Sequence, residues 1–176
     1  GRETIYRDGK PIEFGRKTPK KPLELLKAII TLGGEAVPET ILADHLWPDA
    51  EGDVAHEAFA KTLQRLRHLL GHEEALPLRD GKVSLNRQVC WVDALAFEYG
   101  LRSAPSNKAN SAQKDWVPAY QKAVTLYRGP FLHKEDLAPW GEQCRQRHKL
   151  QYCRAITRLM AHYRQLNQRE PLDRCL

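Results

Sequence analysis

Between Asp53 and Leu70 the chain carries Glu57, Lys61, Gln64, Arg65 and His68, polar and mostly cationic side chains at helical spacing. Phe59, Leu63, Leu66 and Leu70 recur at steps of four, three and four and define an apolar stripe. At about 100° per residue the two sets fall on opposite sides of one helix. Lys and Arg can bridge O6 and N7 of guanine, and Gln can bridge N6 and N7 of adenine. Lys61, Gln64 and Arg65 are therefore a set able to read base edges. An amphipathic helix with a merely solvated charged face would show the same pattern, so the neighbouring segment decides between the two. Asp53 stands where an N-cap is expected and Gly71 where a helix stop is expected.

That neighbour is ALPLRDGKVSL, two alternating apolar runs separated by Asp80-Gly81, a pair suited to the positive φ angles of a type I′ turn. A two-residue turn pairs Arg79 with Lys82, Leu78 with Val83 and Leu76 with Leu85, which puts Leu76, Leu78, Val83 and Leu85 on the body of the domain. Two cations then face each other at the tip. Like charges across a hairpin are mildly unfavourable unless an anion compensates, and a phosphate backbone would do so. The first hairpin, TIYRDGKPIEF, repeats this geometry with Arg7 opposite Lys10 beside Asp8-Gly9. Doubled basic tips also serve solubility, so the helix before the second hairpin, more than its charges, marks it as a wing.

Two further helices must position these parts. One spans Pro22 to Leu32, with Leu25, Leu26, Ile29 and Ile30 as its stripe and Gly33-Gly34 as its end. The other runs from about Pro38 to Trp47, with Ile41, Leu42 and Leu46 inward and Pro48 after it. The expected order is hairpin, helix, helix, acidic loop, helix, hairpin. In a helix-turn-helix the second helix enters the major groove while the first crosses the phosphate backbone.

The stretch KPLELLKAIITLGGEAVPETILADHLWPDAEGDVAHEAFAKTLQRLRHLLG resembles the winged-helix DNA-binding domain of OmpR/PhoB-type regulators, in the variant found in SARP-like regulators. There it is followed by a helical bacterial transcriptional activator domain. LADHLWPDA, LQRLRHLLG, CWVDALAFE and LYRGPFL carry the resemblance, which touches most of the chain from Lys21 to about Leu166. It implies that Lys61, Gln64 and Arg65 face the major groove. Thr62 and Arg67 would touch phosphate, and Arg79 and Lys82 would form the wing. Asp49 and Glu51, in the loop WPDAEGD, occupy the place where the family's loop can touch RNA polymerase; a solvated turn is the alternative for each acid. Family helices often carry more Arg on this face, which Glu57 and His68 dilute here. The implied partners are double-stranded DNA, RNA polymerase and a second copy associating through the helical domain.

Net charge qualifies this picture. Through Asp93 there are 14 Lys and Arg against 15 Asp and Glu, giving −1, and beyond it 14 against 7, giving +7, which together make the overall +6. Phosphate attraction must then come from local clusters. Arg16, Lys17, Lys20 and Lys21 form one, and Lys61, Arg65, Arg67 and the wing another, while acids gather between Glu35 and Glu57.

Beyond Asp93 the pattern is helical. A helix over Val92 to Arg102 leads into the polar connector SAPSNKANSAQ. Trp116, Tyr120, Ala123, Val124 and Tyr127 mark a second helix that Gly129-Pro130 ends. A long third helix from Pro139 to about Asn167 places Tyr152, Ile156, Leu159, Met160, Tyr163 and Leu166 on one side, with Arg147, Arg154 and Arg158 opposite as a solvated stripe, a partner or DNA contact being the alternative. Such pairs resemble tetratricopeptide units. The expected organisation is an α+β winged helix over residues 1–93 followed by an all-α, tetratricopeptide-like domain over 94–176. The absence of an initiator Met and the end at Cys175-Leu176, soon after Pro171, suggest a fragment truncated within the second domain.

An apolar share of 41% is adequate for a core, and no apolar run approaches the roughly 18 residues of a membrane span. Cys90, Cys144, Cys153 and Cys175 lack the pattern of a disulfide scaffold and suit a reduced, cytoplasmic protein. Cys144 and His148 stand four apart and could share a metal with Cys153, yet no C-x-x-C or second His pair completes a site, so no metal and no cofactor is expected. Gly15-Arg16-Lys17-Thr18 lacks the leading glycine of a phosphate-binding loop. His56-Glu57 lacks the second His of a zinc protease because Ala60 stands there. No Ser, His and Asp set has local support, and the expectation is a binding protein rather than an enzyme. A protein-interaction module built on a winged helix that does not bind DNA is the alternative.

Overall fold

Leu25, Leu26 and Ile29 share one side of a helix, and all three are buried in α1 (Lys20–Thr31). In the computed structural model, which describes residues 4–14, 18–103, 116–133 and 139–165, this helix is central to the first of two compact units, Glu3–Trp91 and Val92–Leu176. Arg16 and Lys17 of the first basic cluster, the Gly15 loop, most of the polar connector, Leu166 and the end around Pro171 and Cys175 lie outside the described residues. Among the described residues the protein is mostly helical α+β, with six α-helices and small antiparallel sheets. α1 stops where Gly33 and Gly34 take φ of +97° and +69°, which lets Gly34 N donate to Ile29 O at 2.9 Å.

β1 (Tyr6–Arg7) and β2 (Lys10–Pro11) form the first hairpin, with Arg7 opposite Lys10. After α1, β3 (Val37–Pro38) leads directly into α2 (Glu39–Leu46), which buries Leu42, Ala43 and Leu46. Ile41 was expected inward but is 39% exposed, because the buried arc of this short helix is shifted toward Ala43. α3 (Gly52–Leu70) packs against both α1 and α2 and buries Ala55, Phe59, Thr62, Leu63 and Leu66. Full burial of a side chain the size of Phe59 contributes about 1.5–3 kcal/mol. The N-cap of α3 is Glu51, without a side-chain cap, and the expected cap Asp53 lies in the first turn, where its charge favours the helix dipole.

A single 3₁₀ turn (Glu73–Ala75) separates α3 from β4 (Leu78–Arg79) and β5 (Lys82–Val83). Leu78 pairs with Val83 and Arg79 with Lys82, as the two-residue turn requires. Asp80 and Gly81 take φ of 49° and 68°, the left-handed pair of a type I′ turn. β5 also pairs with β3, so the sheet order is β3-β5-β4. Leu76, Val83 and Leu85 are buried as expected, whereas Leu78 is exposed on β4 at the sheet edge.

The second unit contains α4 (Asp93–Arg102), α5 (Trp116–Leu126) and α6 (Pro139–Gln165). α4 and α5 approach closely at Gly100, where a Cβ would lie 3.2 Å from Ala123 Cβ. α5 and α6 share a core of Val117, Val124, Ala155, Leu159 and Tyr163. Two of the three arginines expected to be a solvated stripe are engaged. Arg158 lies 4.2 Å from the Trp116 ring centroid and donates to the Tyr120 hydroxyl at 3.0 Å. Arg147 donates to Glu98 Oε1 from Nε at 3.1 Å and from Nη2 at 3.0 Å.

Glu98 and His148 are both buried, and His148 Nε2 donates to Glu98 Oε1 at 2.7 Å, tying α6 to α4. Burial alone would lower the His148 pKa, but hydrogen bonding to Cys144 and Glu98 and the negative charge beside the ring push it up to about 9. Burial alone would raise Glu98, and the hydrogen bond from His148 and the charge of Arg147 outweigh it and hold the carboxyl below its ordinary value. The His148 contribution to stability is complete below 6.5 and lost as pH climbs through about 9. The Glu98 contribution is present above 4.5 and lost as pH falls through its depressed value. The melting temperature of the second unit should therefore hold a plateau between about pH 4.5 and 6.5, decline progressively through neutral pH, and level off above about pH 9. His148→Ala should cost about 3–5 kcal/mol at neutral pH by leaving Glu98 underpaired, and should remove the alkaline limb. Identical pH profiles for wild type and variant, by calorimetry, would contradict this ion-pair account.

Candidate nucleic-acid interface

With Phe59, Thr62, Leu63 and Leu66 turned into the core, the helical repeat sends Glu57, Lys61, Gln64, Arg65 and His68 to the surface, and all five are exposed. Gln64, Arg65 and His68 have no hydrogen-bond or charge partner among the described residues, which leaves their polar atoms available to a ligand. Lys61 is different. Its Nζ donates to Glu57 Oε1 at 2.7 Å one turn earlier, and that bond, with the Lys61 charge, holds the Glu57 carboxyl below its ordinary value. The pair is exposed and readily exchanged for a stronger anion.

Thr62 does not belong to this face. It lies three residues after Phe59 and four before Leu66, which puts it on the buried stripe, and it is 5% exposed. The expectation that its hydroxyl meets phosphate is corrected on that ground. Arg67 is also redirected. It donates to Leu76 O from Nε at 3.1 Å and from Nη2 at 2.7 Å, bridging the end of α3 to the start of the hairpin. Instead of meeting phosphate, these donors hold the hairpin in place.

Three other contacts fix the hairpin. Gly71 takes φ +76° and its N–H reaches Arg67 O at 3.0 Å and His68 O at 3.1 Å, which turns the chain sharply out of α3. Glu39 N at the start of α2 donates to Gly81 O at 2.8 Å, and Pro38 lies opposite Lys82 in the sheet. The tip is thus anchored to the elements that carry the helix. Arg79 and Lys82 stay exposed across from each other and have no partner among the described residues.

At the other end, Lys20 is exposed and without a partner among the described residues. Lys21, expected to meet phosphate, instead donates to Leu46 O at 3.0 Å, pairs with Glu24 at 2.9 Å and lies 5.8 Å from the Trp47 ring centroid. It fastens the start of α1 to the end of α2. Asp49 and Glu51 are exposed in the connection between α2 and α3, and Glu51 O accepts from Ala55 N at 2.8 Å as the first helical bond.

Two residues with structural roles at the site carry little signal in the sequence. Arg7 lies across Gly71, so closely that a Cβ there would come within 2.7 Å of Arg7 Cδ. The first hairpin therefore braces the end of α3. Glu39 Oε1 lies 3.6 Å from His56 Nδ1 and links α2 to the first turns of α3. Both contacts join segments far apart in the chain, and only the acid at a helix start gave a local hint for Glu39.

In the second unit Cys144, His148 and Glu98 form a buried cluster in which His148 Nε2 is 2.7 Å from Glu98 Oε1 and 3.7 Å from Cys144 Sγ. Cys144 Sγ also lies 3.9 Å from Nδ1, so the sulfur faces both ring nitrogens while the carboxylate faces Nε2. Cys153 is exposed on a different side of α6. Among the described residues no group of three or more His, Cys, Asp or Glu side chains is arranged to hold a metal ion. No described helix is long and apolar enough to cross a membrane.

Comparison with known protein families, curated proteins and solved structures finds no match for this chain.

Arg67→Ala should lower stability by about 1.5–3 kcal/mol in a denaturant titration, because it strips the Leu76 carbonyl of a charged donor. A lysine at this position should restore only part of the loss, having no planar pair of donors. Unchanged stability in the alanine variant would remove Arg67 from its clamping role.

Proposed function

We propose that the Glu3–Trp91 unit is a winged-helix DNA-binding unit of a transcription regulator. α3 would be its recognition helix in the major groove and β4–β5 its wing. The observation that carries the proposal is the outward set Lys61, Gln64 and Arg65 on a helix whose opposite flank is core, with a basic hairpin clamped to its C-terminal end. In this role Arg65 and Lys61 bridge guanine and Gln64 bridges adenine. Arg79, Lys82 and Lys20 neutralise phosphates, while Arg67, Lys21, Gly71 and Arg7 position the helix and hairpin. The resemblance to OmpR/PhoB-type and SARP-like regulators supports the same role. It further suggests that the Asp49 and Glu51 loop meets RNA polymerase, and that a tetratricopeptide-like unit from Val92 onward serves self-association or signal transfer. Such a regulator would act in the cytoplasm, on double-stranded DNA and without a cofactor.

A second role, as a protein-docking module, draws on one observation. Glu57 sits within the reading face and occupies Lys61 at 2.7 Å. The two roles differ in what Glu57 does. On DNA it is an obstacle, so Glu57→Gln should tighten duplex binding, whereas in a docking surface the same change should leave duplex binding absent.

Arg65→Ala should weaken binding to the preferred site by about 1–3 kcal/mol and relax base preference at one position, measured by fluorescence anisotropy on matched and single-substituted duplexes. Equal weakening on the preferred and on unrelated duplexes would remove Arg65 from base reading.

A further inference from the structure

Over its length from Pro139 to Gln165, α6 holds six Lys and Arg residues and one acid, Glu142, near its start, whose oxygens accept from Arg145 and Gln146. Three of the six are used inside the unit. Arg145 donates to the Phe131 and Leu132 carbonyls, Arg147 to Glu98, and Arg158 to the Tyr120 hydroxyl over the Trp116 ring. The other three, Lys149, Arg154 and Arg164, are exposed and have no partner among the described residues.

These three share a surface. At about 100° per residue they lie within an arc of about 140°, centred opposite the buried stripe of Cys144, His148, Ala155, Leu159 and Tyr163. At 1.5 Å rise per residue, Lys149 and Arg164 stand about 22 Å apart along the axis. The positions between the cations on this face include exposed Leu150, Cys153, Thr157 and Ala161. Leu150 is the single large apolar side chain exposed among them, beside a half-buried Met160 and over a shallow pocket it lines with Gln146 and Arg154, which is too little for a continuous apolar seam along the helix. A second copy laid against it would bring six uncompensated cations together. What the face complements is a regular row of negative charge.

We propose that this face of α6 is a second, sequence-independent contact surface for the phosphate backbone of duplex DNA, with Lys149, Arg154 and Arg164 each neutralising a phosphate. A span of about 22 Å covers six or seven base-pair steps of about 3.4 Å. The side chains between the cations are small or uncharged and allow close approach without reading bases. The inference builds on the proposed DNA-binding role, yet it involves different residues and a different kind of contact.

The test uses the full chain with Lys149→Gln, Arg154→Gln and Arg164→Gln combined, titrated by anisotropy against a mixed-sequence duplex of about 40 base pairs at salt between about 50 and 200 mM. Each phosphate contact contributes about 0.9 to the slope of log affinity against log salt, so the slope should fall in magnitude by about 2 to 3. Circular dichroism and melting should be unchanged, since the three side chains have no described partners. A parallel variant with Lys61, Gln64 and Arg65 all changed to Ala separates the two proposals. If that variant loses base preference while the α6 variant loses salt slope, both stand. If the α3 variant keeps the preference, the reading helix is wrong, and a slope still lost in the α6 variant sustains this inference alone. An unchanged slope in the α6 variant overturns it. So does a wild-type chain that binds poly-glutamate but no duplex at any salt, which would make the face a site for an acidic protein.

Discussion

Burial of one stripe of α3 is the constraint on which the rest of the first unit depends. Phe59, Thr62, Leu63 and Leu66 can reach the core formed with α1 and α2 in only one rotation of the helix. That rotation leaves Gln64 and Arg65 no inward option. The hydrophobic effect is not directional, but a helix with fixed angular repeat converts it into direction. An outward set of donors is then obtained without any interaction spent on aiming them.

Charge is used in two distinct ways around this framework. Some cations serve as fasteners: Arg67 on the Leu76 carbonyl, Lys21 on the Leu46 carbonyl and Arg7 across Gly71. In the second unit Arg145, Arg147 and Arg158 do the same work, and the buried Glu98–His148 pair adds a charged clasp. Among the described residues the exposed cations left over include Arg65, Arg79, Lys82 and Lys20 in one unit and Lys149, Arg154 and Arg164 in the other, which are proposed to meet phosphate or bases. They also include Lys10, Lys122 and Arg128, to which no such contact is given. A count of basic residues does not separate these groups. The overall charge of +6 therefore says less about binding than the short roster of exposed cations without partners.

Much of the architecture was legible because it is local. The Asp80-Gly81 turn dictates the pairing of Arg79 with Lys82, Gly71 marks the end of α3, and the apolar periodicity of residues 59 to 66 sets the face of that helix. The misassigned residues fail for reasons of angle or of distance in sequence. Thr62 is polar by type but sits between Phe59 and Leu66 on the helix wheel, so residue type misleads where position decides. Ile41 and Leu78 are apolar yet exposed, on a short helix and an edge strand where the buried arc is narrow. Arg67, Lys21 and Arg158 are bound to groups 9, 25 and 38 residues away, and no local pattern announces such partners.

The central claim is that the outward flank of α3 reads base edges. Selection of bound sequences from a random duplex pool, run in parallel for the wild type and for a variant with Lys61, Gln64 and Arg65 replaced by alanine, addresses it most directly. The account expects the wild type to enrich a short motif containing guanine and adenine at adjoining positions, and the variant to enrich none. Enrichment of the same motif by both proteins, or of no motif by the wild type, would contradict it.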